Sequence, residues 1–233
     1  MADGKNSDLP VRTASAVVML AVAGGALWAG GVWLDLFIIL VALAALWEFV
    51  RLISRATPSG AVRVAGSLAA LAYVGLAVWV LLRINNVALM LLLVGTVVLV
   101  DIGAYAAGRT FGGPKIAPSI SPSKTWSGLL GGVIGATIAL LAYFGWGGAA
   151  AGYRNFSGLP MVFELLPFGA AVAVVAQVGD FLESWLKRRA GVKDSSNLIP
   201  GHGGVLDRID GLLAVACVFG APLLVIFPHW LAR

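Results

Sequence analysis

From Leu129 to Trp146 the sequence carries no charged residue, and similarly clean apolar runs occupy Ala14 to Gly31, Asn86 to Val100 and Leu212 to Phe227. A helix needs about 20 residues to cross the ~30 Å hydrocarbon core of a bilayer, where every backbone amide must find its partner within the chain. Runs of this kind dictate membrane-spanning helices and exclude a water-soluble globular class. Composition agrees: 60% of residues are hydrophobic, against roughly 45–50% apolar usage in soluble domains, and the mean hydropathy is +0.94.

Spans are predicted at 14–31, 34–50, 64–82, 87–107, 127–146, 164–186 and 209–228. The expected fold is an all-α, polytopic integral membrane helical bundle of about seven transmembrane helices, with re-entrant or broken segments as the alternative to a simple count. The polar start, MADGKNSDLPVRTAS, is followed by no clear small-residue cleavage site, so the first run reads as a retained span and not as a signal peptide. The 233 residues leave room for one membrane-embedded domain, 1–233, and no appended soluble domain. The single cysteine, Cys217, lies in an apolar run and reads as a small core hydrophobe.

Loop charge sets the orientation. With the N-terminus in the cytoplasm, Lys5, Arg12, Arg51, Arg55, Arg63, Arg109, Lys115, Lys124, Lys187, Arg188, Arg189, Lys193 and Arg208 fall on that side, and Arg83, Arg154 and Arg233 on the other, a strong positive-inside bias. The net charge of +5 is explained by this bias and by phosphate ligands, and nucleic acid is not an expected partner. Two long polar segments, about 108–126 and 187–208, therefore face the cytoplasm from the cell's inner membrane. The first, GRTFGGPKIAPSISPSKT, reads by its Gly, Pro and Ser content only as loop.

The second segment carries chemistry. Asp180, Ser184, Lys187 and Arg188 stand at i, i+4, i+7 and i+8, so they share one helical face, with Glu183 beside them. An aspartate inside a span costs a few kcal/mol unless it faces a polar cavity, a partner or a metal. Pairing with Lys187 or with an arginine of a neighbouring helix is the plain structural alternative. Beyond the loop, GHGGVLDRIDG opens the last span with Asp207 and Asp210 on its first turn. Capping of the helix N-terminus is one reading of them. The other is that Asp180, Asp207 and Asp210 converge as oxygen ligands for Mg²⁺, which takes carboxylates together with substrate phosphates. The glycines around His202 (Gly201, Gly203 and Gly204) let backbone N–H groups approach an anion. Lys187, Arg188, Arg189, Lys193 and Arg208 supply cations at a density that suits phosphate. His202 is open to three roles: phosphate donor, acid for a leaving group, or loop hydrogen-bonder. Together these residues describe a metal-dependent polyphosphate site at the cytoplasmic membrane surface, in which the protein positions reactants and neutralises charge.

Ser184, Lys187, Arg188, Lys193, Asp194, Pro200, His202, Gly203, Gly204, Asp207, Arg208 and Asp210 resemble, with the same spacings, the signature of the phosphatidate cytidylyltransferases, or CDP-diacylglycerol synthases. The first loop is similar to the family's other block, through Asp101, Ala104, Tyr105, Gly108, Arg109, Phe111, Gly112, Ser121, Pro122, Lys124 and Thr125. The resemblance covers about 100–211, and WEFVRL at 47–52 resembles a weaker third element. One position departs: Ser127 stands where the family usually has glutamate, leaving that role unfilled or with Glu183. The resemblance implies transfer of a cytidylyl group from CTP to phosphatidate, giving CDP-diacylglycerol and pyrophosphate. It also implies Mg²⁺, with a second cation in a paired site held by Asp180 and Asp207, and a homodimeric enzyme in the lipid bilayer. It puts Asp194, Tyr105, Arg109, Ser121 and Lys124 among the substrate-binding residues, beside Ser184, Lys187, Arg188, Gly203, Gly204 and Asp210, and Lys193, His202 and Arg208 among the catalytic ones. A CTP-dependent polyprenol or phytol kinase, a cytidylyltransferase acting on another lipid phosphate, and a transporter or channel using Asp101 and Asp180 as intramembrane ion sites are the competing readings.

Overall fold

The computed structural model describes residues 8–84, 86–150 and 159–226. In chain order these form α1 (Asp8–Ala29), α2 (Gly31–Ala56), α3 (Gly60–Arg83), α4 (Val87–Phe111), β1 (Lys115–Ala117), β2 (Ser121–Thr125), α5 (Trp126–Ala150), α6 (Leu159–Arg189), α7 (Leu206–Val215), a π-helical turn (Ala216–Gly220) and α8 (Ala221–Ile226). Among the described residues seven helices are long and apolar enough to cross a membrane, the last being the continuous stretch Leu206–Ile226. Each of the seven predicted spans is present. Lys5, Arg154 and Arg233, and the end of the seventh span at 227 and 228, lie outside the described residues.

The segment that read only as loop contains a two-stranded antiparallel hairpin, with Lys115 opposite Thr125 and Ala117 opposite Ser121. Its strands lack the apolar alternation that would announce them. Gly112 and Gly113 hold positive φ of 61° and 102°, letting the chain turn out of α4 into the hairpin.

The residues cluster in two compact units, each drawn from two stretches of chain. The first comprises Met1–Leu82 and Leu186–Ile209. Here α2 buries Leu34, Ile38, Ala42, Ala45, Glu48, Phe49, Leu52 and Ile53, a stripe at i+3 and i+4 spacing. Phe49 meets Tyr73 of α3 edge to face, with centroids 6.1 Å apart and an interplanar angle of 84°. The outward Leu40, Leu43, Leu68 and Leu71 are exposed, an apolar surface matched to hydrocarbon.

The second unit comprises Arg83–Trp185 and Asp210–Arg233. Here α4 and α5 run antiparallel with their backbones in contact, because Gly131 and Gly135 form a GxxxG pair. A Cβ on Gly131 would lie 2.2 Å from the Gly103 carbonyl oxygen, and one on Gly135 would lie 2.0 Å from that of Leu99. Small residues permit such approach, which is the main route to helix association where hydrophobic driving force is absent. Val97, Val100, Ala136, Val172, Ala173, Ala176 and Val215 form the core that joins α4, α5, α6 and α7.

Candidate active site

The loop between α6 and α7 begins as a consequence of one dipeptide. Pro200 fixes its own φ and Gly201 takes φ +75°, which turns the chain so that His202 N–H donates to the Ile199 carbonyl at 2.9 Å. Gly203, at φ +84°, then returns its carbonyl to the Ile199 N–H at 2.8 Å. This closed loop delivers the chain to the first turn of α7, where Asp207 stands.

Asp207 is held from four directions. Its Oδ1 accepts from Lys187 Nζ at 2.6 Å. Its Oδ2 accepts from the Ser195 N–H at 3.0 Å, the Ser195 hydroxyl at 2.8 Å and the Gly204 N–H at 2.7 Å. The Lys187 and Asp207 side chains are only 12% and 7% exposed, so the ion pair is poorly screened and each charge depends on the other.

Behind Asp207 lies a second carboxylate. Glu48 of α2 is fully buried, at 0% exposure. It accepts from the Val205 N–H at 3.0 Å, the Leu206 N–H at 2.6 Å, the Ser195 hydroxyl at 2.9 Å and the Ser196 hydroxyl. The two backbone donors are among the N–H groups that open α7, which have no partner within that helix, so Glu48 caps the helix from a distant part of the chain and lies at the positive end of its dipole. Gly204 makes room for this: a Cβ there would lie 2.5 and 2.6 Å from the Glu48 carboxylate oxygens and 2.0 Å from Ser195 Oγ.

Two further contacts tie the loop. His202 Nδ1 and Ser15 Oγ of α1 are 2.8 Å apart, and the Arg208 guanidinium donates to the His202 carbonyl at 2.9 Å.

In the second unit, Lys124 of β2 forms an ion pair with Asp180 of α6. The sequence suggested Lys187 or an arginine as the structural partner of Asp180; the lysine of the hairpin takes that place. Thr125 Oγ1 accepts the Gly128 N–H at 3.1 Å and so caps α5. Ser127, which departs from the family pattern, donates to the Gly112 carbonyl and fastens the start of α5 to the end of α4. Arg109 donates to the Tyr105 hydroxyl at 2.6 Å, and both are exposed on α4. Ser121 is buried, with its hydroxyl 3.4 Å from that of Ser123. Asp210 accepts the Gly211 N–H at 2.8 Å, and its carbonyl faces Gly179 of α6.

The first unit thus brings together Lys187, Asp207, Gly204, His202 and Arg208, and the second Lys124 and Asp180. Arg188, Lys193 and Asp194 are exposed and Ser184 is half-buried. Glu183 is buried at 2% exposure on α6. Among the described residues no group of three or more His, Cys, Asp or Glu side chains could hold a metal ion by itself. One or two carboxylates plus substrate phosphates is, however, how Mg²⁺ is commonly bound. Asp207 fits that use by its chemistry: it is an oxygen donor set in the polar loop, with its Oδ2 oriented by three donors.

Sequence reasoning placed Glu48 only within the WEFVRL element, without a role of its own, and assigned none to Ser195, Ser196 or Ser15. A signal for Glu48 was present, since an ionisable residue within an apolar run is a functional candidate by default.

Such a fold and site define a multi-pass, all-α membrane protein with a polar, carboxylate-centred loop. Comparison with known proteins sharpens the class. The chain matches the model of the Cytidylyltransferase family over residues 10–87 and 61–226 and belongs to that family. It is 48% identical over 124 residues to a phosphatidate cytidylyltransferase of Brucella suis, across 52% of this chain and 42% of the relative. Similarity to the phosphatidate cytidylyltransferases of Haemophilus influenzae (46% over 120 residues, 51% and 40% covered) and Pseudomonas aeruginosa (42% over 145 residues, 62% and 49% covered) is of the same order. The matched stretch spans about half the length of these curated relatives, or somewhat less.

Proposed function

We propose that the chain transfers the cytidylyl group of CTP to phosphatidate in the inner membrane, with its active site facing the cytoplasm and as a homodimer. The carrying observation is the anchored Lys187–Asp207 pair within the polar signature, read together with the family to which the chain belongs. An oxygen of the lipid phosphate attacks the α-phosphorus of CTP. A new P–O bond forms, the bond from the α-phosphorus to its bridging oxygen breaks, and pyrophosphate leaves with that oxygen. A lipid phosphate is largely ionised near neutral pH, because its second pKa is about 6, and needs no dedicated base.

Asp180 and Asp207, with Asp210 nearby in sequence, are the proposed Mg²⁺ ligands. When bound, Mg²⁺ (alone or beside a second cation) would neutralise phosphate charge and orient the leaving group. The protein's part is positioning. Lys193, Arg188 and Arg109, exposed cations, bind phosphate oxygens, while Lys187 and Lys124 hold the two carboxylates. Gly203 and Gly204 keep the loop backbone open to an anion.

The test is pyrophosphate release from CTP by purified, detergent-solubilised protein. We expect release only when phosphatidate and Mg²⁺ are both present. Release of CDP in place of pyrophosphate would identify a lipid kinase and overturn the reading.

A further inference from the structure

We infer that Glu48 is a positioning residue of the active-site loop: through Ser195 and the first turn of α7, its carboxylate sets the orientation of Asp207. The inference rests on the cytidylyltransferase reading of that site. Glu48, Ser195, Ser196, Val205, Leu206 and Asp207 all belong to the first unit.

The four donors to Glu48 are two hydroxyls and two backbone N–H groups, all between residues 195 and 206. All four of these donors therefore come from one loop, and they fill the acceptor capacity of a carboxylate. Ser195 Oγ sits 2.9 Å from Glu48 Oε2 and 2.8 Å from Asp207 Oδ2. Its single proton can be given to only one of them at a time, so one hydroxyl links the buried acid to the proposed metal ligand. The Ser195 N–H donates to that same Asp207 oxygen at 3.0 Å. Displacing Ser195 from Glu48 would therefore move two of the donors that orient Asp207. A residue chosen only to fill the core of α2 would be apolar, like Ala45, Phe49 and Leu52 around it. Partners that orient a metal-binding carboxylate act in this way, and their loss commonly costs 10–100-fold in affinity or activity.

Glu48→Gln preserves volume but turns an NH₂ group toward backbone N–H donors. Two measurements on purified protein test it. Hydrogen exchange at the Val205 and Leu206 amides should quicken by about tenfold or more, while that of α3 stays unchanged. The Mg²⁺ concentration for half-maximal pyrophosphate release should rise by roughly 10–100-fold, and Glu48→Gln combined with Ser195→Ala should be little worse than the more damaging single change, because both act through one link. Unchanged exchange at 205 and 206, an unchanged Mg²⁺ requirement, or strictly additive effects would each overturn the inference. If Glu48→Gln does not fold, Ser196→Ala, which removes one donor to Glu48 and none to Asp207, should move both readouts in the same direction by a few-fold; no movement overturns it. Wild-type protein that releases no pyrophosphate from CTP would instead defeat the reading of the reaction, while the exchange measurement would still decide whether Glu48 holds the loop.

Discussion

Lys187 Nζ and Asp207 Oδ1 lie 2.6 Å apart, joining the last turn of α6 to the first turn of α7 across the loop of residues 190 to 205. Both side chains are nearly buried. Removing one partner of such a pair leaves an uncompensated charge, at a cost of about 3–5 kcal/mol. Lys187→Met should therefore lower stability by that amount in a denaturant titration in detergent, and Lys187→Arg by clearly less. Equal stability of Lys187→Met and wild type would show that the pair contributes nothing.

Asp180→Asn and Asp207→Asn each keep side-chain volume while removing the charge proposed to meet Mg²⁺. Each should reduce pyrophosphate release by more than about 100-fold, with the protein still folded and membrane-inserted by size-exclusion profile. Wild-type turnover in either variant would remove that residue from the metal assignment.

Gly204 is enclosed by Ser195 Oγ and both oxygens of Glu48. Gly204→Ala must push one of these groups aside, and overpacking of this kind costs about 1–3 kcal/mol. The loss should be visible as a lower melting temperature together with reduced activity. Gly191→Ala, where a Cβ meets nothing within 4 Å but φ is +68°, should affect stability through backbone strain and leave the Mg²⁺ requirement unchanged.

Lys193 is exposed in the loop. If it meets a substrate phosphate, Lys193→Ala loses a charge-assisted hydrogen bond, and KM for CTP or phosphatidate should rise about tenfold or more. Unchanged KM for both substrates would reduce Lys193 to a topological charge.

How much of this was legible in the sequence varies with distance along the chain. The seven spans were readable because each is a local run whose composition alone forces a helix. Asp180, Lys187 and Asp207 were conspicuous as charges in or beside such runs. The partner of Asp180, however, comes from Lys124, 56 positions away in a hairpin whose strands lack a periodic signal. Ser127 looked like a missing acid, and its contact with the Gly112 carbonyl depends on how tightly the glycines let α4 and α5 approach. Glu48 was visible as an acid in a span, but its donors lie 147 to 158 positions later, and no periodicity connects residues so far apart.

That separation bears on how the protein is made. During synthesis the N-terminal part of a chain emerges and begins to fold first. Glu48 must therefore enter the bilayer before the loop that supplies its donors exists, and an intramembrane acid without partners is costly. Closing the contact waits until residues 195 to 206 have been translated, which makes the loop around Asp207 a late event in assembly. A chain arrested before that loop would hold α2 at the membrane with its acid unsatisfied, a state distinct from that of the finished protein.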